Sequence, residues 1–360
     1  MASTNQSARL LLAAGGTGGH IYPGLAIAGE FQARHPGAEI VFVGTSRGLE
    51  ERIIGGAGFE VHMLRAEPLR GGSPGRKIKG GLALFPAAVD ANRLLREFRP
   101  DAVVGIGGYI SGPLLLLAAL RRIPTLILEP NFDPGLANRW LARFVDAAAV
   151  AWQDTARHFG RKAFVSGNPI RAEIAAVPDV EISAELHVLL FGGSQGSRIL
   201  NEAMVAALPL LAGDIVITHQ TGPAELEQVR AAYAEAGRQG RIEPYLPDMN
   251  QEYERCAIVV SRAGATTCAE LAAAGRGAIL VPLELAGGHQ RHNAGALEKA
   301  DAAIVMPEAE LTGTRLARTL NDLATNPEKY VALGNAARKQ AKPNATTKIV
   351  DKIEALIAHA

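Results

Sequence analysis

Leu10-Leu11-Leu12-Ala13-Ala14-Gly15-Gly16-Thr17-Gly18-Gly19-His20 joins an apolar run to a glycine-rich loop. Residues 21–28 have the composition of the start of a helix. Strand, glycine loop and helix form the geometry in which backbone N–H groups face an anion or a sugar. His20 follows the loop directly, where a group that exchanges a proton near neutral pH suits acid–base work. The alternative is a tight turn with a surface histidine.

The first half of the chain continues this alternation of apolar runs and helical patterns. The predicted strands are 10–14, 40–43, 61–64, 102–106, 125–128 and 147–151, and the predicted helices are 24–33, 49–57, 82–98, 113–120 and 136–143. Near-continuous apolar strands separated by helices indicate a parallel sheet that is covered on both faces.

The second half begins again with the same pattern. A predicted linker at 178–185 precedes a strand at 187–191, the loop Gly192-Gly193-Ser194-Gln195-Gly196-Ser197 and a helix at 198–208. Further predicted elements are strands at 215–218, 258–260, 278–281 and 303–305, and helices at 327–341 and 345–358. Ligands of open parallel sheets bind beyond the carboxyl ends of the strands, so we expect a cleft with one glycine loop on each wall.

The composition excludes several classes of protein. The chain has 360 residues, enough for two domains, and its 37 Lys and Arg nearly balance 36 Asp and Glu, so no overall charge favours nucleic acid. Two cysteines, Cys256 and Cys268, are too few for a disulfide framework or a zinc site and indicate a reducing, cytoplasmic environment. Residues 1–7 lack a signal peptide's apolar segment, and the apolar run 113–120 is too short to span a bilayer. We therefore expect a soluble or peripheral protein.

Most nucleotide motifs are absent. The dinucleotide fingerprint fails because Ile21 stands where its last glycine should, and neither a phosphate-binding Gly-Lys-Ser/Thr loop nor Asp-x-Asp occurs. Residues 192–196 do match Gly-x-Ser-x-Gly, which predicts a serine hydrolase with Ser194 as nucleophile. Its partners would be Asp248 or Asp301 and His289 or His292. A hydrolase, however, has no use for a complete first α/β half.

A second cluster, 261–270, follows the predicted strand at 258–260. Gly264 would make a turn, and Ala265, Thr266 and Thr267 would open a helix whose N–H groups can hold a diphosphate. Glu270, one turn further on, can accept hydrogen bonds from two ribose hydroxyls. The alternative for Glu270 is a carboxylate that is only stabilised by the helix dipole.

Five motifs in this order resemble the MurG family, the N-acetylglucosaminyltransferases of bacterial peptidoglycan synthesis. The motifs are 14–24, Gly107-Gly108-Tyr109-Ile110-Ser111-Gly112-Pro113, Gly167-Asn168-Pro169-Ile170-Arg171, 192–198 and 264–270. The resemblance covers nearly the whole chain and implies the GT-B fold, two Rossmann-like domains whose parallel sheets face each other across a cleft. It implies an acceptor and membrane-side domain at 1–166, a UDP-sugar domain at 167–342, and a helix at 343–360 that packs back on the first domain.

The resemblance also implies a reaction. N-acetylglucosamine passes from UDP-N-acetylglucosamine to the 4-hydroxyl of the muramic acid of lipid I, with inversion, to give lipid II; no metal or other cofactor is implied. The alternatives are a GT-B transferase for another lipid, such as a diacylglycerol, and a catalytically silent sugar-nucleotide-binding or scaffold protein.

The family's contacts can be carried over to matching positions. Thr17, Gly18 and Gly19 would line the donor sugar and acceptor side, while Asn131 would contact the transferred sugar and Gln290 its hydroxyls. Arg171 and Ser194 would hold nucleotide and diphosphate groups, and Leu246 would meet uracil through its backbone. The phosphates and ribose would contact Ala265, Thr266, Thr267, Cys268, Ala269 and Glu270. Two departures, Pro130 and Ala286-Gly287-Gly288, bear on the donor-sugar contacts.

Inverting transfer needs a base for the acceptor hydroxyl and stabilisation of the leaving UDP. His20 is the first candidate for the base, because imidazole is matched to neutral pH, and Glu129 is the second. The alternative for His20 is that it only orients the acceptor or braces the loop. Helix N-termini and arginine would take the diphosphate charge.

A lipid acceptor requires access to a membrane, here the cytoplasmic face of the bacterial cell membrane. The basic stretch 69–79, with Arg70, Arg76, Lys77 and Lys79, precedes Leu82, Leu84 and Phe85. Basic residues beside exposed apolar ones suit an anionic membrane surface. The alternative is a solvated loop before an ordinary core-facing helix.

Overall fold

The computed structural model describes residues 7–15, 18–45, 49–65, 74–108, 110–284 and 288–360, without side-chain detail at 18, 45, 49–50 and 74–85. The chain forms two compact units. The first comprises Met1–Arg171 with Asn344–Ala360, and the second comprises Ala172–Pro343.

The first unit is built on a parallel sheet. Its described strands are β1 Arg9–Ala14, β2 Glu39–Thr45, β3 Glu60–Leu64, β4 Ala102–Gly107, β5 Thr125–Glu129, β6 Ala147–Val150 and β7 Ala163–Val165, in the order β3-β2-β1-β4-β5-β6-β7. The helices between them are α1 Gly18–Arg34, α2 Leu49–Gly56, α3 Pro74–Phe98, α4 Ser111–Leu120 and α5 Leu136–Leu141, and short 3-10 turns lie at Asp154–His158 and Gly160–Lys162.

Both faces of this sheet are buried, as its continuous apolar strands predict. Leu10 and Leu12 of β1 lie in one apolar cluster with Phe31 of α1, while Leu11 lies in a second cluster with Leu114 of α4. This alternation follows from the two-residue period of a strand. Gly24 lets α1 approach the sheet closely, since a Cβ there would lie 2.7 Å from Cδ1 of Ile106.

The second unit repeats this architecture. Its described strands are β8 Leu186–Phe191, β9 Ile215–Gln220, β10 Gly240–Glu243, β11 Ile258–Ser261, β12 Gly277–Leu280 and β13 Ala303–Val305, in the order β10-β9-β8-β11-β12-β13. Its helices are α6 Ala172–Ala175, α7 Arg198–Ala207, α8 Leu226–Glu235, α9 Met249–Arg255, α10 Ala265–Ala274, α11 His289–Glu298, α12 Gly313–Thr325 and α13 Pro327–Lys339, with 3-10 turns at Leu208–Leu210 and Glu308–Glu310.

Each glycine loop lies where the strand order of its sheet reverses. In the first unit the loops after β1 and β4 leave neighbouring strands, and in the second unit the loops after β8 and β11 do the same. Such reversal points open a crevice at the carboxyl ends of parallel strands, where ligands of doubly wound sheets bind. The topology therefore locates one candidate site in each unit.

The last helix, α14 Ala345–Ala358, belongs to the first unit. Its Ile349 and Ile353 are fully buried in the cluster that contains Phe31, and Arg34 of α1 pairs with Asp351 at 2.7 Å and with Glu354 at 3.1 Å. The second unit is thus formed by one continuous segment, and the residues that follow this segment complete the first unit.

The structure differs from the sequence-based boundaries in two places. Residues 167–171, expected in the second domain, belong to the first unit, because the N–H groups of Ser166 and Gly167 bond to Val150 O of β6. The start of the stretch 178–185, expected to be a linker, is packed on the second unit, whereas residues 181–185 are exposed. Arg276 donates to Pro178 O at 2.9 Å, Arg338 donates to Val177 O at 2.7 Å, and Val180 is buried in the core.

Sequence patterns missed two strands, misjudged two helix starts and gave no prediction for five helices of the second unit, α6, α8, α9, α11 and α12. Strands β7 and β10 lie at sheet edges; β7 is an apolar segment of only three residues, and β10 is largely polar, so neither gives a clear strand pattern. Helix α1 begins at Gly18, shortly before the stretch 21–28 in which its start was expected, and α3 begins at Pro74 rather than near 82; each continues past an internal proline, Pro23 or Pro86.

Candidate functional site

His20 lies in the first turn of α1 and is only partly exposed. Its Nδ1 lies 3.0 Å from Gly15 O. A carbonyl oxygen only accepts, so Nδ1 carries the proton and Nε2 carries the lone pair in the neutral ring. Burial lowers the pKa of His20, while the bond to Gly15 and the charge of Glu129 act in the opposite direction. The neutral imidazole is therefore favoured near pH 7, with Nε2 able to accept a proton.

Two glycines at the end of β4 make room for this ring. Gly107 has φ +141°, and a Cβ there would lie 2.6 Å from Nε2 of His20. Gly108 has φ +82°, and a Cβ there would lie 2.6 Å from Gly15 O, the acceptor that fixes the tautomer. The loop after β4 therefore determines where the histidine and its hydrogen-bond acceptor lie.

Glu129, the second candidate for the base, ends β5 and is 2% exposed. Its Oε1 accepts from Asn131 N at 3.0 Å and from Asn131 Nδ2 at 3.1 Å, while Oε2 accepts from Gly135 N at 3.0 Å and from Asn138 Nδ2 at 2.9 Å. Four donors therefore surround the carboxylate, which organises the loop between β5 and α5. This geometry argues for a positioning role and against a base. Pro130 fits this arrangement, because it holds Glu129 in the extended backbone that the strand requires.

Two further predicted contacts lie in the first unit. Asn131 donates both its backbone N–H and its Nδ2 to Glu129, so its side-chain oxygen is the end that can accept from a sugar hydroxyl. Arg171 lies with its guanidinium carbon 4.5 Å from the centre of the Tyr22 ring on α1, within the range of a cation–π contact. Thr17 lies outside the described residues, and Gly18 and Gly19 form the start of α1.

The backbone of the loop after β8 packs directly against the backbone of Thr221 and Gly222. A Cβ on Gly196, at φ +77°, would lie 2.0 Å from Thr221 O, and one on Gly222, at φ +80°, would lie 2.2 Å from Gln195 O. The partly buried Ser194 lies in this loop. In the described part of the chain no hydrogen bond joins Ser194 to a histidine, and Asp248 instead caps α9 by accepting from Gln251 N. The hydrolase alternative therefore has no triad to support it.

Gln220, at the end of β9, joins the Ser194 loop to the Leu246 segment. Its Nε2 donates to Gly193 O at 2.7 Å, and its Oε1 accepts from Leu246 N at 3.3 Å. Gln220 is 3% exposed and Leu246 1% exposed. One buried amide therefore fixes the spacing of two segments predicted to contact the diphosphate and uracil.

A buried polar network lies beneath this loop. His219 on β9 lies between Asn201 Oδ1, 3.0 Å from Nε2, and the Tyr233 hydroxyl, 3.2 Å from Nδ1. Since Nδ2 of Asn201 donates to Thr221 O and Glu225, its Oδ1 is the acceptor; Nε2 therefore carries the proton and Nδ1 accepts from Tyr233. Burial lowers the pKa of His219 to about 4. This histidine is a neutral core residue.

Helix α10 offers an uncapped N-terminus. Gly264 occupies the N-cap position without a side-chain cap, so the positive end of the helix dipole is not covered by a capping side chain. Cys268 is different: its N–H donates to Gly264 O at 2.9 Å, and burial raises the pKa of its thiol to about 12. Cys268, and Ala269 one residue deeper in the helix, therefore stabilise α10 rather than offer donors.

The loop before α10 is anchored by α11. Oε1 of Gln290 accepts from Ala263 N at 3.2 Å and from Leu283 N at 2.9 Å, and the fully buried Asn293 donates to Ala263 O at 3.2 Å. Gln290 can therefore offer its amide nitrogen to a ligand. Arg262 in the same loop pairs with Glu308 at 2.5 Å and donates to Ser197 Oγ at 3.1 Å.

Two groups of predicted residues are brought together, one in each unit. In the first unit His20 lies beside Gly15 and Gly107, and the charge of Glu129 reaches it. In the second unit Gln290 lies against the loop that precedes α10 and Glu270. Of the departures, Ala286 and Gly287 lie outside the described residues and Gly288 precedes α11 at φ +61°.

Sequence reasoning missed two residues that hold these groups in position, Gln220 and Asn293. Gln220 and Asn293 are polar residues beside apolar strands and helices, and their buried partners come from distant segments. The one available signal was the buried polar residue itself, since such groups need hydrogen-bond partners.

The predicted membrane segment is only partly described. Residues 66–73, including Arg70, lie outside the described residues, and side chains at 74–85, including Arg76, Lys77 and Lys79, are not described. Within the described part of the chain, no helix combines the length and apolar character needed to span a bilayer.

Comparison with known proteins identifies relatives over nearly the whole chain. Residues 10–150 match the glycosyltransferase family 28 N-terminal domain, and residues 187–353 match the family's C-terminal domain. A protein from Anaeromyxobacter sp. strain Fw109-5, named UDP-N-acetylglucosamine--N-acetylmuramyl-(pentapeptide) pyrophosphoryl-undecaprenol N-acetylglucosamine transferase, is 42% identical and the match covers 97% of this chain and 93% of the relative. A protein of the same name from Pelobacter propionicus is 40% identical, with 96% and 98% covered. The crystal structure of Acinetobacter baumannii MurG superposes with a TM-score of 0.76 at 31% identity, covering 97% of this chain and 99% of that one.

Proposed function

The chain belongs to the MurG family, and on that premise we propose an assignment of its site residues to the reaction of the family. It transfers N-acetylglucosamine from UDP-N-acetylglucosamine to lipid I, which gives lipid II in peptidoglycan synthesis. Two Rossmann-like units of the GT-B type provide the scaffold. Neither the hydrolase nor another lipid acceptor has support from the relatives.

Most of the donor contacts in this proposal come from the second unit, and Asn131 and Arg171 of the first unit add to them. The N-terminus of α10, together with Ser194 and with Arg171 at the end of the first unit, takes the diphosphate charge, because fixed dipoles and cations stabilise a leaving anion without reorganising. Glu270 accepts from the ribose hydroxyls, and the Leu246 backbone meets uracil. Gln290 donates its amide to sugar hydroxyls, and Asn131 offers its side-chain oxygen to the same sugar.

The first unit supplies the base. The single observation that carries this assignment is the bond from Nδ1 of His20 to Gly15 O, because it leaves Nε2 as the basic nitrogen. As the acceptor hydroxyl attacks the sugar, Nε2 takes its proton and the imidazolium charge is shared with Gly15 O and the nearby Glu129 carboxylate. Thr17, Gly18 and Gly19 line the acceptor side.

We further propose that the bilayer containing the lipid acceptor, at the cytoplasmic face of the membrane, meets an aromatic stripe on and after α5. Leu136, Trp140 and Phe144 are spaced one turn apart, are 85%, 49% and 40% exposed, and the rings of the last two lie 5.1 Å apart. The exposed Arg139 and Arg143 flank the stripe. Aromatic rings beside cations suit an anionic membrane surface.

A transfer assay tests the reaction directly. Purified protein is given UDP-N-acetylglucosamine and lipid I, with and without EDTA, and lipid II is measured. We expect equal product in both reactions. Absence of product would overturn the function, and loss of product with EDTA would overturn a metal-free mechanism.

Vesicle binding tests the membrane surface. Trp140→Ser with Phe144→Ser should reduce sedimentation with anionic vesicles, while Leu210→Ser, which removes a leucine 49% exposed on the second unit, should not. Unchanged binding of the double variant would refute the aromatic stripe as the membrane contact.

A further inference from the structure

Tyr253 on α9 is fully buried, and its hydroxyl oxygen lies 3.1 Å from Oε2 of Glu270 on α10. The carboxylate accepts, so the phenol O–H donates. Two other contacts hold Tyr253: its ring meets Phe191 edge-on at 6.4 Å, and its backbone oxygen accepts from Nε of the buried Arg276 at 2.7 Å. The hydroxyl is therefore delivered to Glu270 from a rigid position.

The carboxylate of Glu270 needs a hydrogen-bond donor that fixes its orientation. It is 7% exposed, and the last torsion of a glutamate is broad and only weakly held by its own rotamers. Two adjacent ribose hydroxyls bind a carboxylate well only when its plane faces both of them. Each carboxylate oxygen has two lone-pair positions, so Oε2 can accept from Tyr253 and from a ligand together.

We propose that Tyr253 is a positioning residue for the donor: its hydroxyl sets the plane of the Glu270 carboxylate and thereby the preference for ribonucleoside over deoxyribonucleoside diphosphates. This inference rests on the proposed contact between Glu270 and the ribose. Tyr253 touches Glu270 rather than the nucleotide, so its effect is on donor recognition and not on the transfer step.

Tyr253→Phe is the decisive variant, because phenylalanine keeps the ring and its contact with Phe191 and removes only the hydroxyl. Binding of UDP and of 2′-deoxy-UDP is measured by titration calorimetry on the full chain, for the wild type, Tyr253→Phe and Glu270→Gln. Tyr330→Phe is the matched control, since Tyr330 is equally buried and its hydroxyl accepts from Ser183 N at 3.1 Å.

We expect the wild type to prefer UDP by about tenfold, in line with a charge-assisted hydrogen bond. In Tyr253→Phe the preference should fall to about threefold and KM for UDP-N-acetylglucosamine should rise, while kcat holds. Tyr330→Phe should keep the wild-type preference.

The outcomes separate the inference from its premise. If Glu270→Gln loses the preference and Tyr253→Phe keeps it, the ribose contact stands and the role of Tyr253 is overturned. If neither variant changes the preference, the ribose assignment fails and the inference fails with it. If Glu270→Gln and Tyr253→Phe both reduce the preference for UDP over 2′-deoxy-UDP and Tyr330→Phe does not, the ribose contact and the role of Tyr253 are both supported.

Discussion

The loop after β1 and the loop after β8 both follow a buried strand and precede a helix, at the point where the strand order of each sheet reverses. They differ in what they hold. The first positions a side chain, His20, through Gly15 O and the glycines that end β4. The second packs its backbone on Thr221 and Gly222 and is tied to Leu246 by Gln220.

This difference shows that a glycine-rich loop between a strand and a helix does not by itself indicate which ligand or reaction the loop serves. In the first unit the absent Cβ atoms make room for the ring of His20, the proposed base, so we expect substitutions there to lower kcat. In the second unit they allow close contact of two backbones, so damage should appear in donor affinity. The two histidines differ in the same way: His20 is the proposed base, whereas His219 is a neutral residue of a buried hydrogen-bond network.

The largest effect is expected from His20→Ala. Loss of a general base lowers kcat by about 10²–10⁴-fold, and UDP affinity should be unchanged because His20 has no part in the proposed contacts with UDP. In the wild type, the lowered pKa should keep the base active below pH 6.5, so the acidic limb of kcat/KM lies below the ordinary histidine range. His35→Ala, which removes a half-exposed histidine paired with Glu354, is the control. Near-normal turnover of His20→Ala would eliminate the base assignment.

The next effect concerns the stability of the second unit. Below pH 6.5 the unfolded chain protonates at His219, whereas the folded chain resists until about pH 4. This histidine should therefore cost about 3 kcal/mol of unfolding free energy as pH falls through that window, and nothing above it. Denaturant unfolding at several pH values should show a shallower decline for His219→Gln than for the wild type.

His187→Gln, on the neighbouring strand and half-exposed, is the control for that experiment. Parallel pH profiles for the wild type and His219→Gln would contradict the neutral, buried state of His219.

Gly107→Ala tests the packing of the first loop. The new Cβ would displace the His20 ring, and misplacement of a catalytic group by about 1 Å can cost up to about 100-fold, so we expect kcat to fall about 10–100-fold with KM for the donor unchanged. Gly112→Ala, where no atom lies within 4 Å of the new Cβ, should retain activity. If Gly107→Ala and Gly112→Ala had equal activity, the end of β4 would have no role in positioning His20.

The smallest effect is expected from Gln220→Met. Methionine fills a similar volume but cannot join Gly193 to Leu246, so KM for UDP-N-acetylglucosamine should rise about fivefold, and kcat should change little. Gln251→Met is the control, because Gln251 lies exposed in the same unit and bonds to Asp248. A fall in kcat at constant KM would show that the two loops do not divide their work as described.

Much of the fold was accessible from sequence because long apolar strands and helical periods are local signals. The short edge strands Ala163–Val165 and Gly240–Glu243 were not, since the first has only three residues and the second is largely polar. For the candidate site, the residue types and motifs were identified. The four donors around Glu129 and the tautomer of His20 were not, because each depends on atoms that only the folded chain brings together.

The return of α14 to the first unit has a consequence for synthesis on the ribosome. Residues 345–358 emerge only after the whole second unit, yet Ile349 and Ile353 complete the cluster around Phe31. The nascent first unit therefore exposes an apolar face for the time needed to translate Ala172–Pro343, at about 5–20 residues per second. During that interval we expect chaperones to bind the exposed apolar face of the nascent chain, which α14 covers once it has been synthesised.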